Sequence, residues 1–339
     1  MSTHITLIIP GLFDSLSRQN RKMPRYDALE AILSKSDQQV SDITSYHDYV
    51  LRQFDIEFDT AGCIAAISHF ADTNKQDDKV WMAATPVFLN ADKDRLILQG
   101  QSMLSIKQGE AESLVNDLND CYKDDGWLFE NYHPERWYVS LPELPESQFS
   151  HYNETLGRNV EPFMPKGSDQ LHWRSIINEM QMLLHASDVN HQRLEASCYP
   201  INSIWCWGSG KLPKSVKSQW NSIYTNDVFC KGLGMLSETA VSELPNHVDK
   251  VFEKKQMNRN TTEAHELVVM QQGEEDILSL DFEYYTQRIN NLEQNWFKPM
   301  LDKLKNGEIS SLTLMTCNGY SYHLKKTQLR RFWKKRKPI

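Results

Sequence analysis

The chain has 339 residues and a net charge of −8, from 45 acidic and 37 basic side chains. Hydrophobic and charged fractions of 40% and 24% are typical of a soluble globular protein with one large or two modest domains. The acidic balance argues against nucleic-acid binding over the whole surface. No apolar run reaches the roughly 18 residues of a transmembrane helix.

The amino terminus and the cysteines predict a cytoplasmic protein. The first residues lack the basic region and the cleavage site of a signal peptide, and residues 4–9 instead form a β-branched run ending in a Pro10-Gly11 turn. The six cysteines have neither CxxC nor zinc spacing, so reduced packing thiols and no bound metal are expected. They are Cys63, Cys121, Cys198, Cys206, Cys230 and Cys317.

Further elements follow along the chain. Residues 80–141 alternate as a β-β-α-β-β module, and residues 279–304 have the apolar spacing of one long helix. Residues 228–230 are predicted to form a short strand. Residues 309–325 predict a hairpin in which Asn318-Gly319 is a type I′ turn.

The stretch 173–213 carries the most informative pattern. Its first part predicts an amphipathic helix, which is followed by a polar turn, Ala186-Ser187-Asp188, and then by Asn190 and Arg193. An apolar strand over 201–207 then leads into Gly208-Ser209-Gly210-Lys211, where backbone and a cation can both approach an anion. Core packing is the competing explanation for most of these residues.

The sequences VNHQR and PINSIWCWGSGKLP within this stretch resemble a segment of the archaeal-type cofactor-independent phosphoglycerate mutases. DVFCKGLGM, from Asp227, resembles the D-L-x-K-G-I-G segment of the same family, and a bacterial mutase-like, regulatory subfamily is more similar still. The resemblance implies an alkaline-phosphatase-like α/β sheet with helices on both faces and an inserted α+β lobe. It also selects nine ligand-binding candidates: Asn190, Arg193, Asn202, Trp205, Trp207, Gly208, Gly210, Lys211 and Lys231.

The same resemblance implies two metal ions and a serine nucleophile, but the matching positions differ here. The first strand ends in Pro10-Gly11 where the family has a metal-binding aspartate, and Gln271-Gln272 follow a later strand where the family has acids and histidines. In the bacterial subfamily's A-D-P-V-H-L segment, Thr85 and Phe88 replace the aspartate and the histidine. No serine has the family's surroundings, so no catalytic residue is assigned.

The predicted domains are an α/β core over 1–79 and 165–325, an inserted lobe over 80–164 and a basic tail over 326–339. The tail forms either an electrostatic contact with nucleic acid, membrane or an acidic partner, or a terminal helix whose Leu329, Phe332 and Trp333 pack on the core. The basic residues of this region are Lys325, Lys326, Arg330, Arg331, Lys334, Lys335, Arg336 and Lys337.

Three functions remain open from the sequence. The leading hypothesis is a catalytically degenerate, metal-free relative of the mutases that binds a phosphorylated or other anionic ligand, or a protein partner, in a regulatory role. The first alternative is an active mutase or phosphohydrolase whose Mn²⁺ or Zn²⁺ ligands have moved to Asp14, His185, Asp188 or Asp227. The second is an interaction or nucleic-acid-binding module that uses the basic tail.

Overall fold

A computed structural model describes residues 2–13, 24–56, 63–253, 263–278 and 282–335. The chain divides into two compact units, the first formed by residues 1–57 and 215–339 and the second by residues 58–214. Residues 58–79 and 165–214, which the sequence analysis assigned to the core domain, therefore belong to the second unit. No helix in the described ranges has the length and apolar character needed to cross a bilayer.

The first unit alternates strands and helices. Its strands are β1 (Ser2–Ile8), β2 (Asp37–Val40), β8 (Ser222–Thr225), β9 (Ala240–Ser242), β10 (Glu263–Val269), β11 (Ser311–Met315) and β12 (Tyr320–Lys325). Its helices are α1 (Asp27–Lys35), α2 (Tyr46–Arg52), α8 (Val228–Leu236), α9 (Asp249–Glu253), α10 (Glu274–Leu278), α11 (Phe282–Leu292) and α12 (Lys298–Asn306). A 3₁₀ turn, Lys326–Arg330, follows β12.

The second unit carries the remaining elements. Its strands are β3 (Val80–Asp92), β4 (Arg95–Gln99), β5 (Leu128–His133), β6 (Arg136–Leu141) and β7 (Ser203–Gly210). Its helices are α3 (Ile64–Thr73), α4 (Gln108–Tyr122), α5 (Tyr152–Thr155), α6 (Gln170–Ala186) and α7 (Asp188–Glu195). The predicted β-β-α-β-β order of residues 80–141 is confirmed by β3, β4, α4, β5 and β6.

The seven-stranded sheet of the first unit has the order β2-β12-β11-β1-β10-β8-β9. The strands β11, β1, β10, β8 and β9 run parallel to one another, and β12 and β2 continue the sheet antiparallel. The carboxyl half of β1, Ile5-Thr6-Leu7-Ile8, is buried on both faces, in keeping with its β-branched and apolar residues. The carboxyl ends of β11, β1, β10 and β8 therefore line one edge of the sheet, where open α/β folds bind ligands.

The predicted long helix over 279–304 is interrupted. A π-helical turn, Glu293–Phe297, separates α11 from α12, and residues 279–281 lie outside the described ranges. Glu293 is the first residue of this turn. Its buried carboxylate accepts hydrogen bonds from the backbone N–H groups of Ala28 at 2.7 Å and of Leu29 at 3.0 Å. These N–H groups lie in the first turn of α1, which has no partner for them within the helix.

In the second unit, the side chains of β3 alternate between two faces of the sheet. Val80, Met82 and Ala84 pack in the core formed with α4 and α6, whereas Trp81 and Ala83 pack against α3. This alternation is the period-two pattern of a strand covered on both sides. The strand β7 pairs antiparallel with β3, which is why the stretch 203–210 belongs to this unit.

Two local predictions are wrong in detail. Residues 228–230 begin the helix α8 and do not form a strand, because the Asp227 side chain caps the backbone N–H groups of Phe229 and Cys230. The hairpin β11–β12 is confirmed, but positive φ angles fall at Cys317 (55°) and Gly319 (85°) and not at Asn318. A type I′ turn needs positive φ at both central residues, so the turn is a longer one.

Candidate functional site

Asn190, the first residue of the predicted anion site, is buried at the start of α7 with 2% of its surface exposed. Its side-chain amide donates to the carbonyl oxygens of Leu184 at 2.7 Å and of Ile201 at 2.8 Å, and its oxygen accepts from the Ile201 N–H at 2.8 Å. Asn190 therefore connects the end of α6 to the residues that precede β7, and both hydrogens of its side-chain amide are used in bonds to backbone carbonyl oxygens.

Arg193, one helical turn further on, is 3% exposed and bonded through all of its guanidinium nitrogens. Nε donates to the Tyr199 carbonyl oxygen at 2.9 Å, Nη1 to Glu110 Oε2 at 2.6 Å, and Nη2 to the Leu104 carbonyl oxygen. Glu110 neutralises the buried guanidinium within the protein. A phosphate at this position would have to displace that carboxylate.

The side chains of Asn202 and Trp205 are also hydrogen-bonded to the backbone of other segments of the protein. The side chain of Asn202 accepts from the Leu89 N–H at 2.7 Å and donates to the Leu89 carbonyl oxygen at 2.9 Å, as a further ladder pair of the sheet would. Trp205 is 6% exposed, and its indole N–H donates to the Ser150 carbonyl oxygen at 3.0 Å. Asn202 thus extends the β3–β7 pairing, whereas Trp205 bonds β7 to the loop that contains Ser150.

Trp207 lies two residues beyond Trp205 on the same face of β7 and is partly exposed. Its indole N–H donates to Thr85 Oγ1 at 2.8 Å, and its ring lies 4.0 Å from the imidazole centroid of His151. His151 Nδ1 accepts the Asn153 N–H at 3.0 Å, so that nitrogen carries no proton in this arrangement. Trp207 and His151 are half-buried, whereas Thr85 is buried beneath them.

The Gly208–Lys211 segment was predicted to be an anion-binding loop, but Gly208 and Gly210 lie within β7. Trp81 pairs with Gly210 and Ala83 with Trp207, so two residues of β7 oppose one of β3 in a β-bulge. Gly208 has φ +67°, and a Cβ there would lie 3.3 Å from the Ile64 Cβ. The glycine is needed for the bulge and its approach to α3, while Lys211 is exposed.

Lys231, in the first unit, is exposed in the first turn of α8. Gly234, in the same helix, allows close packing, because a Cβ at this position would lie 2.3 Å from Val241 Cγ2 and 3.0 Å from Ile223 Cδ1. Of the nine predicted ligand-binding residues, Lys231 belongs to the first unit and the other eight to the second.

The carboxyl edge of the seven-stranded sheet carries a group of polar residues that the sequence analysis did not combine. Tyr46, at the start of α2, donates its hydroxyl hydrogen to Asp227 Oδ2 at 2.5 Å, and Asp227 is 4% exposed beyond the end of β8. Burial and the charge of Asp227 hold the pKa of the Tyr46 hydroxyl well above its usual range. Burial and Asp227 likewise raise the pKa of the Cys230 thiol. Both groups therefore stay protonated near neutral pH and are poor nucleophiles.

An ion pair occupies the carboxyl ends of β1 and β10. Arg288 Nε lies 3.1 Å from Asp276 Oδ1. Its Nη1 donates to the Gly11 carbonyl oxygen and its Nη2 to the Pro10 carbonyl oxygen, each at 3.3 Å. The Arg288 and Asp276 side chains are 17% and 11% exposed. The Asp276 carboxylate also accepts from the Tyr284 hydroxyl and the Gly273 N–H, each at 3.1 Å. The guanidinium is thus fixed at the strand ends, with its charge balanced by the Asp276 carboxylate.

The donor set does not fit the two metal ions that the resemblance implies. No group of three or more His, Cys, Asp or Glu side chains in the described ranges could hold a metal ion. Of the rearranged ligands, Asp14 lies outside those ranges, His185 and Asp188 are exposed in the second unit, and Asp227 is committed to Tyr46 and the α8 cap.

Comparison with known proteins supports the resemblance over part of the chain. No known protein-family profile matches. The 2,3-bisphosphoglycerate-independent phosphoglycerate mutase of Methanosarcina mazei is 30% identical over 69 residues, which are 20% of this chain and 17% of that protein. The mutase of Methanosarcina acetivorans is 25% identical over 150 residues, 41% of this chain and 37% of that protein. The matches therefore span well under half of these relatives.

The fold is similar over a larger part of the chain. The PH0037 protein of Pyrococcus horikoshii superposes with a TM-score of 0.52, covering 95% of this chain and 87% of that one at 9% identity. At this identity the likeness concerns the fold alone. The chain is thus similar to 2,3-bisphosphoglycerate-independent phosphoglycerate mutases over part of its sequence, and it shares the α/β fold of the PH0037 protein.

Proposed function

We propose that this phosphoglycerate mutase-like chain has lost metal-dependent phosphoryl transfer and acts as a regulatory protein that binds an anionic ligand or a partner. The ion pair of Arg288 and Asp276 carries the proposal. It places a guanidinium, bonded to Asp276 and to two backbone carbonyl oxygens, at the strand ends where the resemblance implies exchangeable metal ions. A guanidinium can stabilise negative charge, but it cannot activate a bound water or nucleophile as a metal does.

The nucleophile candidates support the same proposal. Transfer through the protein needs a side chain that is activated by a base or by a lowered pKa. Tyr46 and Cys230 lie at the sheet edge, but burial and Asp227 raise the pKa of each, which is the opposite of activation. The Tyr46 hydroxyl and the Cys230 backbone N–H instead hold the Asp227 carboxylate in place.

A cytoplasmic location is part of the proposal. None of the six cysteines, all of which lie in the described ranges, forms a disulfide, and burial raises the pKa of the Cys206 thiol to about 12. Cysteines without disulfides are typical of proteins in a reducing compartment. The location is tested by fractionating cells that express the full chain with an epitope tag, with cytoplasmic and secreted markers as references.

Turnover tests the loss of catalysis. The purified full chain is assayed for conversion of 3-phosphoglycerate to 2-phosphoglycerate with Mn²⁺, with Zn²⁺ and with chelator, beside an active mutase as positive control. We expect no metal-dependent turnover by this chain. Turnover that requires Mn²⁺ or Zn²⁺ and that Asp227→Asn abolishes would establish the rearranged active enzyme instead.

Ligand binding is tested separately with 3-phosphoglycerate and inorganic phosphate as probes in calorimetric titrations. If an anion binds at α8, Lys231→Gln weakens binding, whereas Lys217→Gln, a change at another exposed lysine of the same unit, leaves it unchanged. No heat of binding with either probe would remove the small-anion part of the proposal and leave the protein partner.

A further inference from the structure

The C-terminal aromatic–basic segment, residues 325–335, is fixed to the first unit by bonds to the corner between α1 and β2. The buried Gln328 donates to Asp37 Oδ2 at 2.5 Å, and Arg331 Nη1 donates to Asp37 Oδ1 at 2.6 Å and to the Lys35 carbonyl oxygen at 2.9 Å. Lys35 Nζ in turn donates to the Leu329 carbonyl oxygen at 2.7 Å. The segment is therefore held in a defined position.

Two aromatic side chains project from this anchored segment. One alternative from the sequence had Leu329, Phe332 and Trp333 all packing on the core. Leu329 does so, but Phe332 and Trp333 are 89% and 66% exposed. Their rings meet edge to face with centroids 5.1 Å apart and an interplanar angle of 84°. Adjacent exposed aromatics on a fixed segment form an apolar projection that is unfavourable in water and that a partner surface can cover.

Basic side chains stand on both sides of the aromatic pair. The segment contains six basic residues and no acidic one, in a chain whose net charge is −8. Lys326, Arg330 and Lys335 are exposed, and none of them forms an ion pair with any of the residues that the structure describes. Lys334, also exposed, donates to the Ser36 carbonyl oxygen at 3.1 Å, which leaves its charge unneutralised.

We propose that the aromatic–basic segment docks the protein on an anionic lipid surface. Phe332 and Trp333 enter the interfacial layer, where aromatic rings are favoured, while the flanking lysines and arginines contact anionic headgroups. The occupant follows from charge and apolar exposure together, since the cations around the two exposed rings complement anionic headgroups at the depth where aromatic side chains are favoured. A convex pair also needs no complementary pocket, which a folded protein partner would have to supply.

The test is co-sedimentation of the full chain with vesicles of phosphatidylcholine alone or mixed with phosphatidylserine. We expect binding to the mixed vesicles at low salt and loss at high salt. Phe332→Ser combined with Trp333→Ser should reduce the partition coefficient at least about tenfold. The matched control is Leu171→Ser, which removes a side chain that is 77% exposed in the second unit and should leave binding unchanged.

Charge is tested in the same assay. Lys334→Gln and Lys335→Gln should each lower binding about fivefold, whereas Lys217→Gln and Lys250→Gln, at exposed lysines elsewhere in the first unit, should have little effect. Absence of binding to the mixed vesicles, or equal loss with the control variants, would overturn the proposal. Salt-sensitive binding of an oligothymidylate without vesicle binding would also overturn it and assign the segment to nucleic acid.

Discussion

The Tyr46 hydroxyl donates to Asp227 Oδ2 over 2.5 Å, and through this bond α2 is joined to the N-terminal cap of α8. The Asp227 carboxylate accepts the N–H groups of Phe229 and Cys230 at 3.4 and 3.3 Å as well. A carboxylate with three donors has little capacity left for a metal ion. The aspartate of the mutase-like DVFCKGLGM segment thus has a structural role in this chain.

Removing the Tyr46 hydroxyl should therefore destabilise the first unit. We expect Tyr46→Phe to lower the free energy of unfolding by about 1.5–3 kcal/mol, because a buried charged acceptor loses a donor. Urea unfolding followed by circular dichroism measures the change. Tyr320→Phe, at a tyrosine that is 39% exposed, is the control and should change stability by less than about 0.5 kcal/mol. Equal stability of the two variants would contradict the assigned bond.

Arg288 and Asp276 should behave as a coupled pair. Arg288→Met leaves Asp276 partly buried without its cation and should cost about 1.5–3 kcal/mol, and adding Asp276→Asn should recover part of this loss. The double-mutant cycle in urea unfolding measures the coupling. Arg174→Met tests the exposed pair with Glu161, whose side chains are 40% and 67% exposed, and should cost at most about 1 kcal/mol. Additive effects at Arg288 and Asp276 would show that the pair is not coupled.

Asn190 separates a structural role from ligand binding. Asn190→Ala leaves the buried N–H and carbonyl oxygen of Ile201 without their side-chain partner, so we expect a loss of about 2–4 kcal/mol in the absence of any ligand. Thermal unfolding of the ligand-free protein measures it. His191→Ala, at an exposed position of the same helix, should be close to neutral. An unchanged melting temperature for Asn190→Ala would contradict the structural role and favour Asn190 as a ligand contact.

His47 should make the stability depend on pH. Burial lowers its pKa to about 3, and its ring meets those of Tyr46 and Phe229 edge-on. The unfolded chain binds a proton at His47 below about pH 6.5 and the folded chain does not, so stability falls as pH decreases from about 6.5 towards 3. The slope from this one group is at most about 1.4 kcal/mol per pH unit. His47→Gln should flatten the profile by that amount between about pH 6 and 4.5, and an unchanged slope would contradict the assignment.

The sequence predicted the elements whose signals are local. The helix α6, the hairpin β11–β12 and the β-β-α-β-β order all follow from apolar periodicity. A local signal for α8 was also present, since Asp227 precedes the helix as an N-cap, but the apolar residues after it were read as a strand. The pair of Arg288 and Asp276 was beyond reach, because it joins two helices that only the tertiary fold brings together at the end of β1.

The glycines of β7 show why a family-like motif was interpreted as a ligand loop. Gly208 satisfies the same local criteria in a bulge as in an anion-binding turn, and only the pairing with β3 separates the two. Gly208→Ala should cost about 1–2 kcal/mol, because φ is +67° and the new Cβ lies 3.3 Å from the Ile64 Cβ. Gly109→Ala is the matched control in α4, where nothing lies within 4 Å, and should be neutral or stabilising by up to about 1 kcal/mol. If the two variants unfold at the same urea concentration, the bulge does not require glycine. That result would favour the interpretation of Gly208–Lys211 as an anion-binding loop.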